Sequence, residues 1–165
     1  SSIEAIYVPA DDILDHGVQA IFPYLESVVI LSRSFYQQGI LPAVDIISSS
    51  SSWLNSQGVG DYHYEVALEA KSILKQADRL ERIVSLVGQA ELSPEDQVVY
   101  TRSKKLRNFM TQTFFTTEAQ RGVKGSYVPV KKTIEGVDGI LKGKFDHLPE
   151  EKFLYIGSLE EIANG

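Results

Sequence analysis

The chain has 165 residues, 43% of them hydrophobic, and a net charge of −6. That is enough to bury a core in one domain or two small ones, and the acidic balance disfavours nonspecific nucleic-acid binding. There is no cysteine and no long apolar run, which excludes disulfides, thiolate metal sites, cysteine nucleophiles and a membrane-spanning helix.

No signal peptide is evident, and the start at Ser1-Ser2, directly before a strand-like run, reads as a piece of a longer protein. Ile3–Val8 is the first predicted strand. Ser27–Ser32, a short β-branched run, is the second, and Ala43–Ile47 the third. Such runs suit strands covered on both faces. Between the last two lies a short helix, Ser34–Gln38, stopped by Gly39. The serine run Ser48–Ser52 reads as a flexible loop. Residues 1–60 hold a single base, Arg33, and six acids, whereas residues 61–165 hold 15 bases and 16 acids. This shift, with the punctuation Gly58-Val59-Gly60, places a boundary near residue 58.

Beyond it the period changes to that of helices. Val66, Ala70, Ile73, Ala77, Leu80, Val84 and Val87 recur at three- and four-residue steps and predict one amphipathic helix over Asp61–Val87. Asp78 and Arg82 are spaced as an i,i+4 pair, and Gly88 suits the C-cap. A second helix is expected from Pro94 to about Thr111, apolar at Val98, Val99, Leu106, Phe109 and Met110. Its bases Arg102, Lys104, Lys105 and Arg107 lie where the helix dipole favours them. The short link forces the two helices into an antiparallel hairpin. Shorter helices are expected at Phe114–Ala119, Val130–Leu141, Pro149–Leu154 and from Ser158, where Ser158-x-x-Glu161 has capping-box spacing.

At the turn of the hairpin stands Ala90-Glu91-Leu92-Ser93-Pro94-Glu95-Asp96. Ser93 suits an N-cap, Pro94 the first helical position, and Asp96 can reach back to the cap N–H. A well-capped helix start explains every residue type here. The heptapeptide as a whole also resembles the acidic Asp-Glu-Leu-Ser-Glu-Glu-Asp loop of the beta subunit of F-type ATP synthases. Tyr7-Val8-Pro9-Ala10-Asp11-Asp12, Leu31-Ser32-Arg33, Gly39–Asp45, Val128-Pro129-Val130-Lys131 and Phe145–Glu150 resemble that family's words in the same order, from about Ile3 to about Glu161. Flagellar and type III secretion ATPases share the Asp-Asp and Leu-Ser-Arg words but are not known for the acidic elbow.

The resemblance implies an α+β, mostly α chain. Residues 1–58 would be the C-terminal strands of a P-loop-type parallel α/β sheet, and residues 59–165 an all-helical domain. It implies ATP or ADP and Mg²⁺ as ligands of the parent enzyme, with none bound tightly by this chain. The partners would be alpha subunits and the central-stalk gamma subunit, without nucleic acid or membrane insertion, at the cytoplasmic face of a bacterial membrane or its organelle equivalent. Ala90, Glu91, Leu92, Ser93, Pro94, Glu95 and Asp96 would touch the rotor.

Catalytic chemistry is missing from the sequence itself. There is no Gly-x-x-x-x-Gly-Lys-Ser/Thr loop, and Gly122-x-x-Gly125 leads into Ser-Tyr. His16, His63 and His147 lack ligand spacing. Asp11-Asp12, without a nucleophile or phosphate cradle beside it, reads as structural. No catalytic and no metal-binding residue is therefore assigned, and phosphoryl transfer by this chain alone is not expected. The resemblance does map an adenine pocket onto Phe114, Leu41 and Gln120. Leu41 and Gln120 stand where the family carries aromatics, and Ser52 where it carries an arginine. Leu41 can cover a base by apolar contact but without aromatic stacking, and for Phe114 and Phe115 core packing of a short helix is the other reading. The rival function is a stand-alone helical interaction module without nucleotide.

Overall fold

A computed structural model describes residues 2–163 of the chain. In chain order its elements are α1 (His16–Ile21), β1 (Ser27–Val28), α2 (Arg33–Gln37), β2 (Ser50–Ser51), α3 (Ser56–Val59), α4 (Asp61–Val87), α5 (Pro94–Phe109), α6 (Glu118–Arg121), α7 (Val130–Leu141) and α8 (Glu160–Ala163). Single 3-10 turns cover Pro9–Asp11, Phe22–Tyr24, Gln89–Glu91, Phe115–Thr117 and Glu150–Phe153. The fold is mostly helical with one small two-stranded sheet.

α4 begins and ends at glycines of positive φ, Gly60 at 83° and Gly88 at 91°. Neither conformation suits a residue with a Cβ, so both ends of the helix are fixed by composition. Its inner face is Val66, Leu74, Ala77 and Leu80; Ala70, Ile73 and Val84 are partly buried on the same side, whereas Val87 is exposed. Two apolar clusters line this face. The larger joins Val66 and Leu74 to Leu106 and Phe109 of α5, to Val137, Ile140 and Leu141 of α7, and to Phe153. The smaller, toward the far end, is Leu80, Leu92 and Tyr100. α7 packs closely because of its glycines: a methyl group at Gly136 would overlap the Phe109 ring, and one at Gly139 the Phe145 ring.

The bases of α5 have tertiary partners beyond the dipole role expected for them. Arg102 grips Asp146 from Nε (3.0 and 3.1 Å) and Nη2 (2.5 Å), and its Nη1 donates to the Leu141 carbonyl at 2.8 Å. Lys104 pairs with Glu150 at 3.1 Å. Lys105, only 1% exposed, donates to the carbonyls of Phe145 and Asp146 at 2.9 and 3.1 Å. Arg107 reaches across the hairpin to Asp78 and Glu81. Asp78 is thus paired with Arg107, not with Arg82 as its helical spacing suggested: the cross-helix guanidinium is the less exposed of the two and bridges Asp78 and Glu81 together.

The largest departure from expectation lies in residues 2–58. The described residues contain no parallel pairing. Ile3–Val8 forms no ladder. Ser27–Ser32 pairs only at Ser27 and Val28, antiparallel to Ser51 and Ser50, and a lone antiparallel bridge joins Leu31 to Val44. The rest of Ala43–Ile47 turns, with Asp45 Oδ1 accepting the N–H groups of Ile47 and Ser48, each at 3.0 Å. The serine run read as a flexible loop supplies β2, where the Ser27 and Ser51 hydroxyls meet at 2.7 Å. A parallel ladder requires neighbours that arrive by long crossovers. Among the described residues no such crossover sets a second strand parallel to these runs, and Ile46 and Ile47 pack on the helices instead. Gly39, at φ 76°, does end α2 as its position suggested.

α7 has the expected bounds; the expected Phe114–Ala119 helix appears as the 3-10 turn Phe115–Thr117 running into α6, past Ala119, and the expected Pro149–Leu154 helix as the shorter turn Glu150–Phe153. At α8 the Ser158 N–H donates to Glu161 Oε1 at 3.3 Å, one half of the capping box. The continuation of that helix to residues 164 and 165 lies outside the described residues, as does Ser1.

Candidate functional site

The turn of the hairpin is built from its caps. Ser93 Oγ accepts the Asp96 N–H at 3.2 Å and donates to Asp96 Oδ2 at 2.9 Å. The Asp96 carboxylate therefore meets the cap hydroxyl instead of the cap N–H. Pro94 occupies the first helical turn as expected. Gln97 Nε2 donates to the carbonyls of Ala90 (3.4 Å) and Leu92 (3.0 Å), and Gln89 Nε2 to Thr101 Oγ1 at 3.3 Å. Leu92 is 7% exposed and closes the smaller core. One residue of the elbow is thus an anchor, while Ala90, Glu91, Ser93, Pro94 and Glu95 face water and Asp96 is half-buried.

Beside these acids stands an exposed apolar group, two members of which, Val87 and Val98, the helical periods had put on the apolar faces of their helices. Ile83, Leu86, Val87 and Val98 are exposed at the far end of the hairpin, Leu86 by 85%. Residues 83–99 contain three acids and no base. The distal end therefore offers a partner an acidic rim and uncovered aliphatic surface. The sequence signal was present in Val87, whose period extends the buried face beyond the point where α5 can cover it.

The three residues of the expected adenine pocket occupy neighbouring segments. The Gln112 N–H donates to the Leu41 carbonyl at 2.8 Å, which seats Leu41 beside the segment leaving α5. Two residues on, Phe114 is 48% exposed, and Phe115 is also exposed, so core packing does not account for either ring. The stretch carrying them is closed on itself: the Ser126 N–H donates to the Thr113 carbonyl at 3.3 Å, Gln112 Nε2 donates to the Ser126 carbonyl, and Gly125 N donates to Glu118 Oε1 at 2.7 Å. Gln120 lies on α6, exposed, in the same closed stretch. The chain neighbours of Leu41, Ile40 and Pro42, line an apolar cavity of about 210 Å³ together with Phe35, Val44, Ile46, Met110 and Arg107; Leu41 itself does not line it. Asp11 and Asp12 act structurally: Asp11 pairs with Arg33 at 3.0 Å, and Asp12 Oδ1 accepts the Leu14 N–H at 3.0 Å.

The titrations that shift belong to struts. Hydrogen bonds from Arg102 hold the Asp146 carboxyl below its ordinary range, and the Arg102 guanidinium is raised in turn. The bond from Lys142, against the opposing effect of burial, holds Asp138 below its ordinary range. Burial first, then Asp138, raises Tyr62. Among the described residues no group of three or more His, Asp or Glu is placed to hold a metal ion.

Residues 51–153 match the family model described as the C-terminal domain of V and A type ATP synthase. Over 163 residues, 99% of its length, the chain is 45% identical to the ATP synthase subunit beta of Coprothermobacter proteolyticus, of which it spans 36%. Among solved structures it is similar to a unique ATP synthase subunit, NeqB, from Nanoarcheaum equitans. The TM-score there is 0.65 and the identity 21%, covering 82% of this chain and 33% of that one; at that identity the likeness concerns the fold. The chain spans about a third of the length of both relatives.

Proposed function

The chain belongs to the family of C-terminal domains of V and A type ATP synthases, and from that membership we propose that it is the C-terminal part of the beta subunit of an ion-translocating, F-type ATP synthase. In this reading residues 1–58 end the nucleotide-binding domain, and residues 59–165 form the helical domain that swings when nucleotide binds. The swing drives the end of the α4–α5 hairpin, Ala90–Asp96, against the central-stalk gamma subunit, between flanking alpha subunits. Leu41, Phe114 and Gln120 border the adenine of ATP or ADP. The residues that hold phosphate and Mg²⁺ lie elsewhere in the parent, since no phosphate-binding loop is present in these 165 residues. None of the described helices is long and apolar enough to cross a membrane; the parent would associate peripherally with the cytoplasmic face of a bacterial membrane, or its organelle equivalent.

The observation that carries the reading is the construction of the hairpin. Its end is capped, bonded by Gln97 and anchored by Leu92, so it can transmit a push without yielding. Shape then matters more than charge, because exposed ion pairs contribute only ~0–1 kcal/mol each. The test compares two variants in an assembled complex. Neutralising Glu91, Glu95 and Asp96 should leave most coupling between ATP hydrolysis and rotation. Removing one helical turn from each arm retracts the tip by about 5 Å and should abolish it. Failure of the neutral variant with success of the shortened one overturns the steric reading; no effect of either removes the rotor contact.

A further inference from the structure

Tyr155 has φ 57°, the left-handed region that is costly for any residue with a Cβ. Bonds on both sides hold it there. Its N–H donates to Thr111 Oγ1 at 2.8 Å. Thr111 is buried and donates in turn to the Asn108 carbonyl, in the last turn of α5, at 2.5 Å. The Tyr155 hydroxyl donates to the carbonyl of Gly39, 116 residues away in sequence. Gly39 is the positive-φ residue that ends α2. Two residues further on, the Leu41 carbonyl accepts the Gln112 N–H. The turn from Gly39 to Leu41 is therefore pinned at both ends by the segment leaving α5: directly by Gln112, and by Thr111 through Tyr155.

We propose that Tyr155 is a positioning residue that clamps the Gly39–Leu41 turn to the base of the second hairpin arm, so that the place of Leu41 and the direction of α5 are set together. The ring fills space, but the hydroxyl makes the link, and the strained backbone of Tyr155 persists because both bonds need it. The consequence for nucleotide rests on the proposed adenine contact of Leu41; the clamp itself does not.

The test is Tyr155→Phe, which keeps the ring and deletes the donor. In the chain by itself, hydrogen exchange at the Gly39, Ile40 and Gln112 amides should accelerate about three- to tenfold, the effect of one lost hydrogen bond. The Ser49 amide, bonded within its own turn to the Asp45 carbonyl, should keep its rate. Unchanged protection at all three clamp amides overturns the proposal. In an assembled ATP synthase carrying this chain, Tyr155→Phe should raise KM for ATP severalfold with little change in kcat, the pattern of lost uniform binding. Leu41→Ala is the reference there. If Leu41→Ala raises KM and Tyr155→Phe does not, the joint setting of Leu41 and α5 is overturned. If neither moves KM while exchange accelerates, the clamp stands and the adenine contact of Leu41 falls.

Discussion

Gly143 lies so close beneath Arg102 that a methyl group at that position would overlap the guanidinium and the Asp146 carboxylate it holds. Gly143 also has φ 75°, so two independent constraints select glycine. Gly143→Ala should cost about 2–4 kcal/mol in urea unfolding, of which about 1 is the backbone penalty. In an Arg102→Ala background the tighter overlap disappears and the Asp146 carboxylate, no longer held by the guanidinium, is free to turn away, so the penalty should shrink to about 1 kcal/mol. Equal penalties in both backgrounds would show that the guanidinium is not the obstacle.

Acid should weaken the fold through Asp146 and Asp138. Both carboxyls titrate below their ordinary 3.8 when folded. The unfolded chain therefore takes up these protons first. Their stabilisation is complete above pH 3.8, declines as pH falls below it, and is gone below the folded values. Asp146→Asn should flatten this part of the stability profile, measured by urea midpoints at stepped pH. An unchanged slope would mean that the Arg102 fork does not survive in solution.

Leu92→Ala should loosen the elbow before the rest of the molecule. The cluster it closes contains only Leu80 and Tyr100 as further buried members, so the site can relax little by drawing in neighbours. A loss of about 2–3 kcal/mol is expected. Amides from Gln89 to Thr101 should lose protection more than those around Leu106 and Ile140. Uniform loss across the chain would make the two clusters a single cooperative unit.

Removing residues 1–58 should leave a helical, cooperatively melting unit of reduced stability. Ile46 and Ile47 pack on the larger cluster, and Lys71 donates to the Ser49 carbonyl at 2.7 Å. Loss of the two isoleucines should cost about 2–4 kcal/mol. A molten product in thermal melts would make the first 58 residues an obligatory packing surface.

Isothermal calorimetry of the chain with Mg-ATP should show no binding tighter than about millimolar, roughly −4 kcal/mol. The reason is the missing phosphate cradle, whose backbone amides and lysine hold most of the charge of a nucleotide. Micromolar binding, or phosphate release, would refute this.

The helical part was legible because its signals are local. Gly60, Gly88, Ser93 and Pro94 mark helix ends by backbone preference alone, and the three-four spacing from Val66 to Val84 names the inner face. What composition could not tell was the destination of the α5 bases. Arg102, Lys104, Lys105 and Arg107 suit a helix C-terminus by charge, yet their partners lie 26 to 46 residues away, and no local rule reaches that far. Strands failed for the same reason in reverse. Ile3–Val8 has the residue types of a strand, but pairing is a property of two segments, and only Ser50–Ser51 comes to meet Ser27–Val28. Phe114 shows the limit at the site: its ring type suits a core, and only the fold shows that the ring is exposed instead. Tyr155 carried no sequence signal at all, since its role depends on a turn 116 residues away.

The uneven placing of the two clusters along α4 makes that helix a lever of the third kind, with its fulcrum near Val66 and Leu74. From Leu74 to Val87 is about 20 Å of helix, and among the described residues the buried apolar fastening on that stretch is Ala77 and the small group around Leu80. A tilt of about ten degrees at the fulcrum would sweep the tip by roughly 3–4 Å, about the thickness of one side chain. A displacement too small to disturb the packing at Leu106 would therefore be large enough at the tip to make or break contact with whatever stands there.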